Sequence, residues 1–134
     1  MTIAYDDTNI FARILRGEIP CDKVAENDHA LAFRDIRPQA PVHVLVIPKG
    51  RYVSLDDFAA NASDAEIVGF TRLCAQVCAS EGVGLAQGNG GFRAVANTGP
   101  HGVQEVPHYH LHIMGGRVMG PMLARQAQGA GRSA

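Results

Sequence analysis

The amino-acid sequence predicts an α+β fold with an antiparallel sheet. Three observations carry this expectation: a short helix followed by several strand-like runs, one long helix with its own start signal, and two further strand-like runs after it.

Each element follows from local chemistry. Ile10, Phe11, Ile14 and Leu15 recur at helical spacing, and Asp7 or Thr8 is placed to cap their first turn. Gly17 ends this helix and Pro20 prevents its return. Residues 24–26 and 30–33 flank the turn-forming Asn27-Asp28, which predicts a hairpin. Residues 37–41, Arg-Pro-Gln-Ala-Pro, form a rigid connector. They lead into residues 42–47, a β-rich run stopped by Pro48 and suited to a central strand. Ser63 and Glu66 make a capping box before Ile67, Phe70, Cys74 and Val77. The long helix therefore covers residues 64–80 and closes at Glu81-Gly82. A glycine-rich connection at 82–91 precedes a strand at 92–96, a loop at 97–106 and a last strand at 108–114. Residues 115–134 show no period, and mobility is expected in the final ten. These readings describe one domain over 1–134, with an ordered core at about 7–123 and a tail at about 124–134.

Composition narrows the function classes. The 134 residues are 46% hydrophobic and 19% charged, with a formal net charge of −1. Two lysines, Lys23 and Lys49, and arginines scattered from Arg13 to Arg132 form no basic stripe, so no nucleic-acid partner is expected. Residues 1–7 lack the regions of a signal peptide, and no apolar run approaches membrane-spanning length. A cytoplasmic protein with no membrane partner is expected. Cys21, Cys74 and Cys78 are odd in number and form no C-x-x-C pair, so they read as small apolar residues in a reducing compartment. His29 and His101 read as surface residues.

The most informative stretch is Pro107-His108-Tyr109-His110-Leu111-His112-Ile113-Met114. In a strand, alternate side chains share a face. Three imidazoles therefore form one row while Tyr109, Leu111 and Ile113 face a core. Imidazole is the side chain whose charge changes near neutral pH, so such a row can hold a metal, move protons or attack an electrophile. The loop before it, Asn97-Thr98-Gly99-Pro100-His101-Gly102-Val103-Gln104-Glu105-Val106, has glycines that let backbone N–H groups turn toward an anion.

Three readings of the row stand side by side. Zinc accepts three histidines and a water, but alternate residues lie roughly 6.5–7 Å apart at Cα, and Asp35 is the one plausible acidic donor from elsewhere. Nucleophilic catalysis needs one neutral imidazole to attack, with its neighbours orienting it and moving protons. Histidines merely exposed on a solvent face fit one position better than three in register.

The pattern His108 to Met114 resembles the defining motif of the histidine triad (HIT) superfamily. Phe33-Arg34-Asp35-Ile36-Arg37-Pro38-Gln39-Ala40-Pro41-Val42-His43, with residues 44–49 following, resembles its Hint branch. So do Ile10-Phe11 and Ile14, Asn97, Gly99 and Gln104 before the triad, and Gly115-Gly116-Arg117 after it. The resemblance implies a HIT-like antiparallel sheet with one long and one short helix, the sheet extended across a homodimer. It implies binding of purine nucleotides and hydrolysis of purine nucleoside 5′-phosphoramidates, with no cofactor and no metal.

The resemblance also assigns roles. His110 is the nucleophile, and His108 and His112 contribute orientation, oxyanion contacts and protonation of the leaving amine. His43 supports them from the neighbouring strand. Asn97 and Gln104, with backbone N–H groups near Glu105 and Val106, contact the phosphate. Asp35 accepts from the ribose hydroxyls, and Ile10, Phe11, Ile14, Phe33 and Ile36 wall the base pocket. A dinucleoside-polyphosphate hydrolase of the Fhit type, or a nucleotide-binding module without catalysis, would share much of this pattern. Three residues depart from it. Val103 stands where the family carries glycine and, being β-branched, disfavours positive φ, so a changed loop is expected there. Glu105 stands where a hydroxyl is usual and is expected to contribute only its backbone. Pro107 stands where an aromatic is usual, at a strand start that tolerates it.

Overall fold

A computed structural model of the chain describes residues 3–124. It contains a five-stranded antiparallel sheet in the order β1-β2-β3-β5-β4, where β1 is Lys23–Glu26, β2 Ala30–Arg34, β3 Val42–Pro48, β4 Phe92–Val95 and β5 Leu111–Gly115. The helices are α1 (Ile10–Leu15), α2 (Leu55–Asn61), α3 (Asp64–Ser80) and the single turn α4 (Gly99–Gly102), with a 3₁₀ turn at Leu85–Gln87. The α+β class and the antiparallel sheet match the sequence reading.

The alternation of β2 and β3 sorts the core into two layers. Ala30, Ala32, Val44 and Val46 face α3, where they pack with Phe70, Leu73 and Val77 from that helix, and with Phe58, Tyr109 and Ile113. Small alanines on β2 let the long helix approach closely. At the same crossing Gly69 passes His29, where an added Cβ would lie 2.8 Å from the imidazole. His29 is therefore half-buried rather than a surface residue. On the other face Leu31, Phe33, Leu45 and Ile47 bury against Phe11 of α1. Val42–Pro48 runs through the middle of the sheet, as its apolar composition requires.

Several boundaries differ from the expected ones for visible reasons. Asn9, not Asp7 or Thr8, caps α1: its Oδ1 accepts from Ala12 N–H at 2.9 Å, while Thr8 turns back onto Asp6. The Ser63–Glu66 capping box and the stop at Glu81 stand as read. Helix α2 adds an element to the expected one long and one short helix. Its cap Ser54, the acidic first turn Asp56-Asp57 and the apolar pair Leu55 and Phe58 were its signal. The loop at 97–106 includes the turn α4. The hydrogen-bonded part of the last strand begins at Leu111, so His108, at a bend where its N–H turns back to the Val106 carbonyl, and His110 precede the ladder. Cys78 is buried in the core with Cys74 packed against it, while Cys21 is exposed. The expected mobile tail lies outside the described residues. Among those residues, no helix is long and apolar enough to cross a membrane.

Candidate active site

The triad is built outward from β3 and β5. Leu45 pairs with His112 across these strands, so His112 shares the α1-side face with His43 and Leu45. Tyr109 and Ile113 point the other way into the α3 core. The alternation expected of one row of imidazoles is present, although only His112 lies within the paired strand.

Hydrogen bonds set the tautomer of each imidazole and leave His110 the one protonated on Nδ1. The His108 backbone carbonyl lies 2.7 Å from His110 Nδ1. A carbonyl only accepts, so Nδ1 carries the proton and neutral His110 keeps its lone pair on Nε2. His108 Nε2 donates to the Pro48 carbonyl at 2.8 Å, and its Nδ1 accepts from the Tyr5 hydroxyl. Asn9 Nδ2 in turn donates to the Tyr5 oxygen at 3.0 Å. His43 Nδ1 accepts from the Gln39 backbone N–H at 3.0 Å, which leaves its Nε2–H to donate to His112 Nδ1 at 2.9 Å. His112 therefore carries its proton on Nε2. That N–H is the triad donor with no protein acceptor among the described residues.

Burial holds these rings neutral. It pushes His108 down to about 4, with the neighbouring His110 adding to the effect against the Pro48 carbonyl. It also pushes His112 down to about 4, helped by His110 and His43 and opposed by Asp35. Burial lowers His110 too, against the His108 carbonyl and the charges of Asp35 and Glu105. The edge of Phe11 meets His110 with ring centroids 4.9 Å apart and supplies much of that apolar contact.

The remaining expected residues divide. Asp35 Oδ1 accepts from Arg37 N–H at 2.8 Å, while Oδ2 lies 3.4 Å from His43 Nε2 and 4.0 Å from His112 Nδ1. Phe11 and Phe33 are buried with edge-on contact at 5.5 Å, and Ile14 packs beside them. Ile10 is 42% exposed and Ile36 89% exposed. Gln104 spends its whole amide on the protein: Oε1 accepts from Gly99 N–H, and Nε2 donates to the carbonyls of Val53 and Val106. It ties the loop together rather than facing a phosphate. Asn97 is half-buried, and its side chain has no hydrogen-bond partner among the described residues. Val106 packs on the Phe11 cluster. Val103 overturns the expected change of loop, because it adopts the left-handed conformation itself, at φ 56° and ψ 52°. Glu105 is exposed, and its charge opposes the burial that lowers His110.

A metal reading meets a specific obstacle. Asp35, His43 and His112 bring ligand atoms within 4.8 Å of one another. Yet the Gln39 N–H occupies the His43 Nδ1 lone pair, so His43 Nε2 is protonated and has no lone pair for an ion. A cleft of about 460 Å³ at the far end of the sheet, between Val42, Gly91 and Arg117, holds none of the expected site residues.

Sequence reasoning missed Tyr5, Asn9 and the Pro48 carbonyl, which no local pattern connects to residue 108. The reason for the Gly115-Gly116-Arg117 run also becomes visible. Gly116, at φ 95°, passes Pro41 where a Cβ would lie 2.8 Å away, and Arg117 donates to the Gln39 carbonyl at 2.9 Å. The run braces the connector that sets the His43 tautomer.

Comparison with known proteins agrees with this arrangement. A family profile described as the HIT domain matches residues 16–119. A purine nucleoside phosphoramidase of Escherichia coli is 41% identical over 120 residues, 90% of this chain and 97% of its own length. An Arabidopsis thaliana protein named adenylylsulfatase HINT1 is 45% identical over 114 residues, 85% of this chain and 75% of its own. The crystal structure of a histidine triad protein from Clostridium difficile superposes with a TM-score of 0.71 at 38% identity, covering 84% of this chain and 93% of that one. With its three histidines held by separate hydrogen bonds on one face of this sheet, the chain belongs to the HIT domain family.

Proposed function

We propose that this protein is a hydrolase that cleaves the P–N bond of purine nucleoside 5′-phosphoramidates through a covalent nucleotidyl-His110 intermediate. The observation that carries the reading is the His108 carbonyl 2.7 Å from His110 Nδ1, which leaves a neutral imidazole with Nε2 free to attack. The Escherichia coli relative named for this activity supports the substrate class.

In the first step His110 Nε2 bonds to the α-phosphorus as the bond to the amine nitrogen breaks, and the amine leaves with a proton from His112. In the second step water attacks the same phosphorus, the N–P bond breaks, and the water proton returns to His112. Splitting the displacement in two avoids a direct attack by water on an anionic phosphoramidate. His112 acts as an acid once protonated. A bound phosphate raises its proton affinity, and the Asp35 carboxylate, with Oδ2 3.4 Å from His43 Nε2 and 4.0 Å from His112 Nδ1, favours the charged form through its charge. His108, with both nitrogens engaged by the protein, orients its neighbours and does not deliver the proton. The Asn97 amide and the backbone N–H groups of Glu105 and Val106, without partners among the described residues, are the phosphate donors, and Gln104 holds their loop in shape. The ribose hydroxyls reach Asp35, and the base lies against Phe11, Phe33 and Ile14 with Ile10 and Ile36 closing over it. These steps use side chains and water alone.

Incubation with an adenosine 5′-phosphoramidate should give a nucleotide adduct on His110 by mass spectrometry. The His110→Asn variant should lose at least about a thousandfold in kcat while still binding AMP, as expected when a covalent nucleophile is removed. Full turnover by that variant would sink the assignment, and nucleotide binding without any turnover by the wild type would instead assign a binding module. The reading includes a homodimer formed through the edge strand β4, where Phe92 is 45% exposed. Sedimentation at micromolar concentration should show twice the chain mass, and a purely monomeric profile would exclude it.

A further inference from the structure

Tyr5 lies in the segment before α1, 103 residues from the triad in sequence, and its hydroxyl is hydrogen-bonded to His108 Nδ1. We propose that Tyr5 is a positioning residue of the triad: its hydroxyl, opposite the Pro48 carbonyl that fixes the His108 tautomer, pins the second nitrogen of the ring whose own backbone carbonyl grips the nucleophile. The inference rests on the reading of His110 as that nucleophile.

The geometry specifies the direction of each bond. Asn9 Nδ2–H has only the Tyr5 oxygen and the Asp6 carbonyl to meet, so the Tyr5 oxygen accepts there and its proton is directed to His108. His108 is fully buried, and its Nε2–H is already committed to the Pro48 carbonyl. Nδ1 must therefore be an acceptor, and Tyr5 is its donor. The tyrosine ring is itself held. Arg51 stacks over it at 5.1 Å, with its guanidinium also paired to Asp7 at 3.1 Å, and the ring meets His108 edge-on at 5.6 Å. A His108 ring pinned at both nitrogens fixes its own main chain. The next atoms along that chain are the carbonyl 2.7 Å from His110 Nδ1. Tyr5 thus acts on the reacting nitrogen through His108 without touching substrate.

The Tyr5→Phe variant isolates this effect. It keeps the ring, the Arg51 stacking and the contact with His108, and Asn9 retains the Asp6 carbonyl as acceptor. It removes the hydroxyl that donates to His108 Nδ1 and accepts from Asn9, leaving a buried lone pair on Nδ1 unsatisfied. We expect kcat to fall about tenfold with KM changed less than about twofold, the scale of one buried hydrogen bond lost behind the nucleophile. Imidazole ¹⁵N NMR of the free protein should show His108 as the Nε2–H tautomer in both proteins, held by the Pro48 carbonyl, with the Nδ1 resonance moving in the variant toward that of a nitrogen without a hydrogen bond. A variant with unchanged kcat per folded molecule and an unchanged His108 Nδ1 resonance, whatever its thermal midpoint, overturns the proposal. A wild type that hydrolyses no phosphoramidate overturns the functional reading instead, and the NMR comparison, which needs no substrate, then decides the Tyr5–His108 bond alone.

Discussion

At the scale of single residues, the chemistry here is a matter of which nitrogen holds a proton. Three histidines of equal chemistry become a ring with a free Nε2 lone pair, a buried strut and a ring with a free Nε2–H because each meets a different partner: the His108 carbonyl, the Pro48 carbonyl with Tyr5, and His43. The sequence showed the imidazoles and their shared face, but nothing in a local pattern shows a carbonyl sixty residues away. Val103 is the reverse case, since the sequence marked the position correctly and misjudged the outcome. The loop keeps its left-handed turn although a β-branched residue must adopt it. A non-glycine residue there stores on the order of 1–3 kcal/mol. Val103 is exposed and makes no core contact to offset that cost. Val103→Gly should therefore raise stability by about 1 kcal/mol in urea unfolding, after allowing for the entropy glycine adds to the unfolded chain. A destabilised variant would mean the valine side chain contributes packing that outweighs the turn.

At the scale of elements, the legible parts were those specified by neighbouring residues. The Ser63–Glu66 box, the Asn27 turn and the apolar run of β3 each announce themselves within a few positions. The start of β5 did not. Alternation persists from His108, but ladder pairing begins only at Leu111 opposite Val46, although β3 itself runs on to Pro48. Of the unpaired residues, Tyr109 is held instead by the Tyr52 carbonyl, His108 by the Val106 and Pro48 carbonyls, and His110 by the His108 carbonyl. Helix α3 offers a test of packing against propensity. In an exposed helix Gly→Ala gains about 1 kcal/mol. At Gly69 the new methyl would press on His29 Cδ2 at 2.8 Å and Cβ at 2.9 Å, against a hairpin that α3 must cover. Overpacking of this kind costs about 1–3 kcal/mol, so Gly69→Ala should lower stability by about 1 kcal/mol net, read as a reduced thermal midpoint. A higher midpoint would show that His29 swings away freely.

At the scale of the whole molecule, burying an imidazole row couples the fold to pH. His108 is held down to about 4 in the folded state against an ordinary value of 6.5. The unfolded chain therefore binds more protons between those limits, and stability rises with pH across that window. The contribution is fully present above about 6.5, is lost as the solution is acidified toward 4, and changes little below that. For His108 alone it amounts to about 3 kcal/mol, and His112 adds in the same direction. Urea midpoints measured from pH 7.5 to 4 should fall steadily through this range, and a flat profile would show that the row is solvated.

The sequence by itself determined the class of fold, the face on which the histidines lie and the family to which they belong. All three depend on short-range periodicity and on residue types at close spacing. Only the tertiary structure decided how the three histidines differ. The His108 and His112 tautomers are set by partners brought in from Pro48, Gln39 and His43, and such long-range contacts leave no periodic trace in the chain.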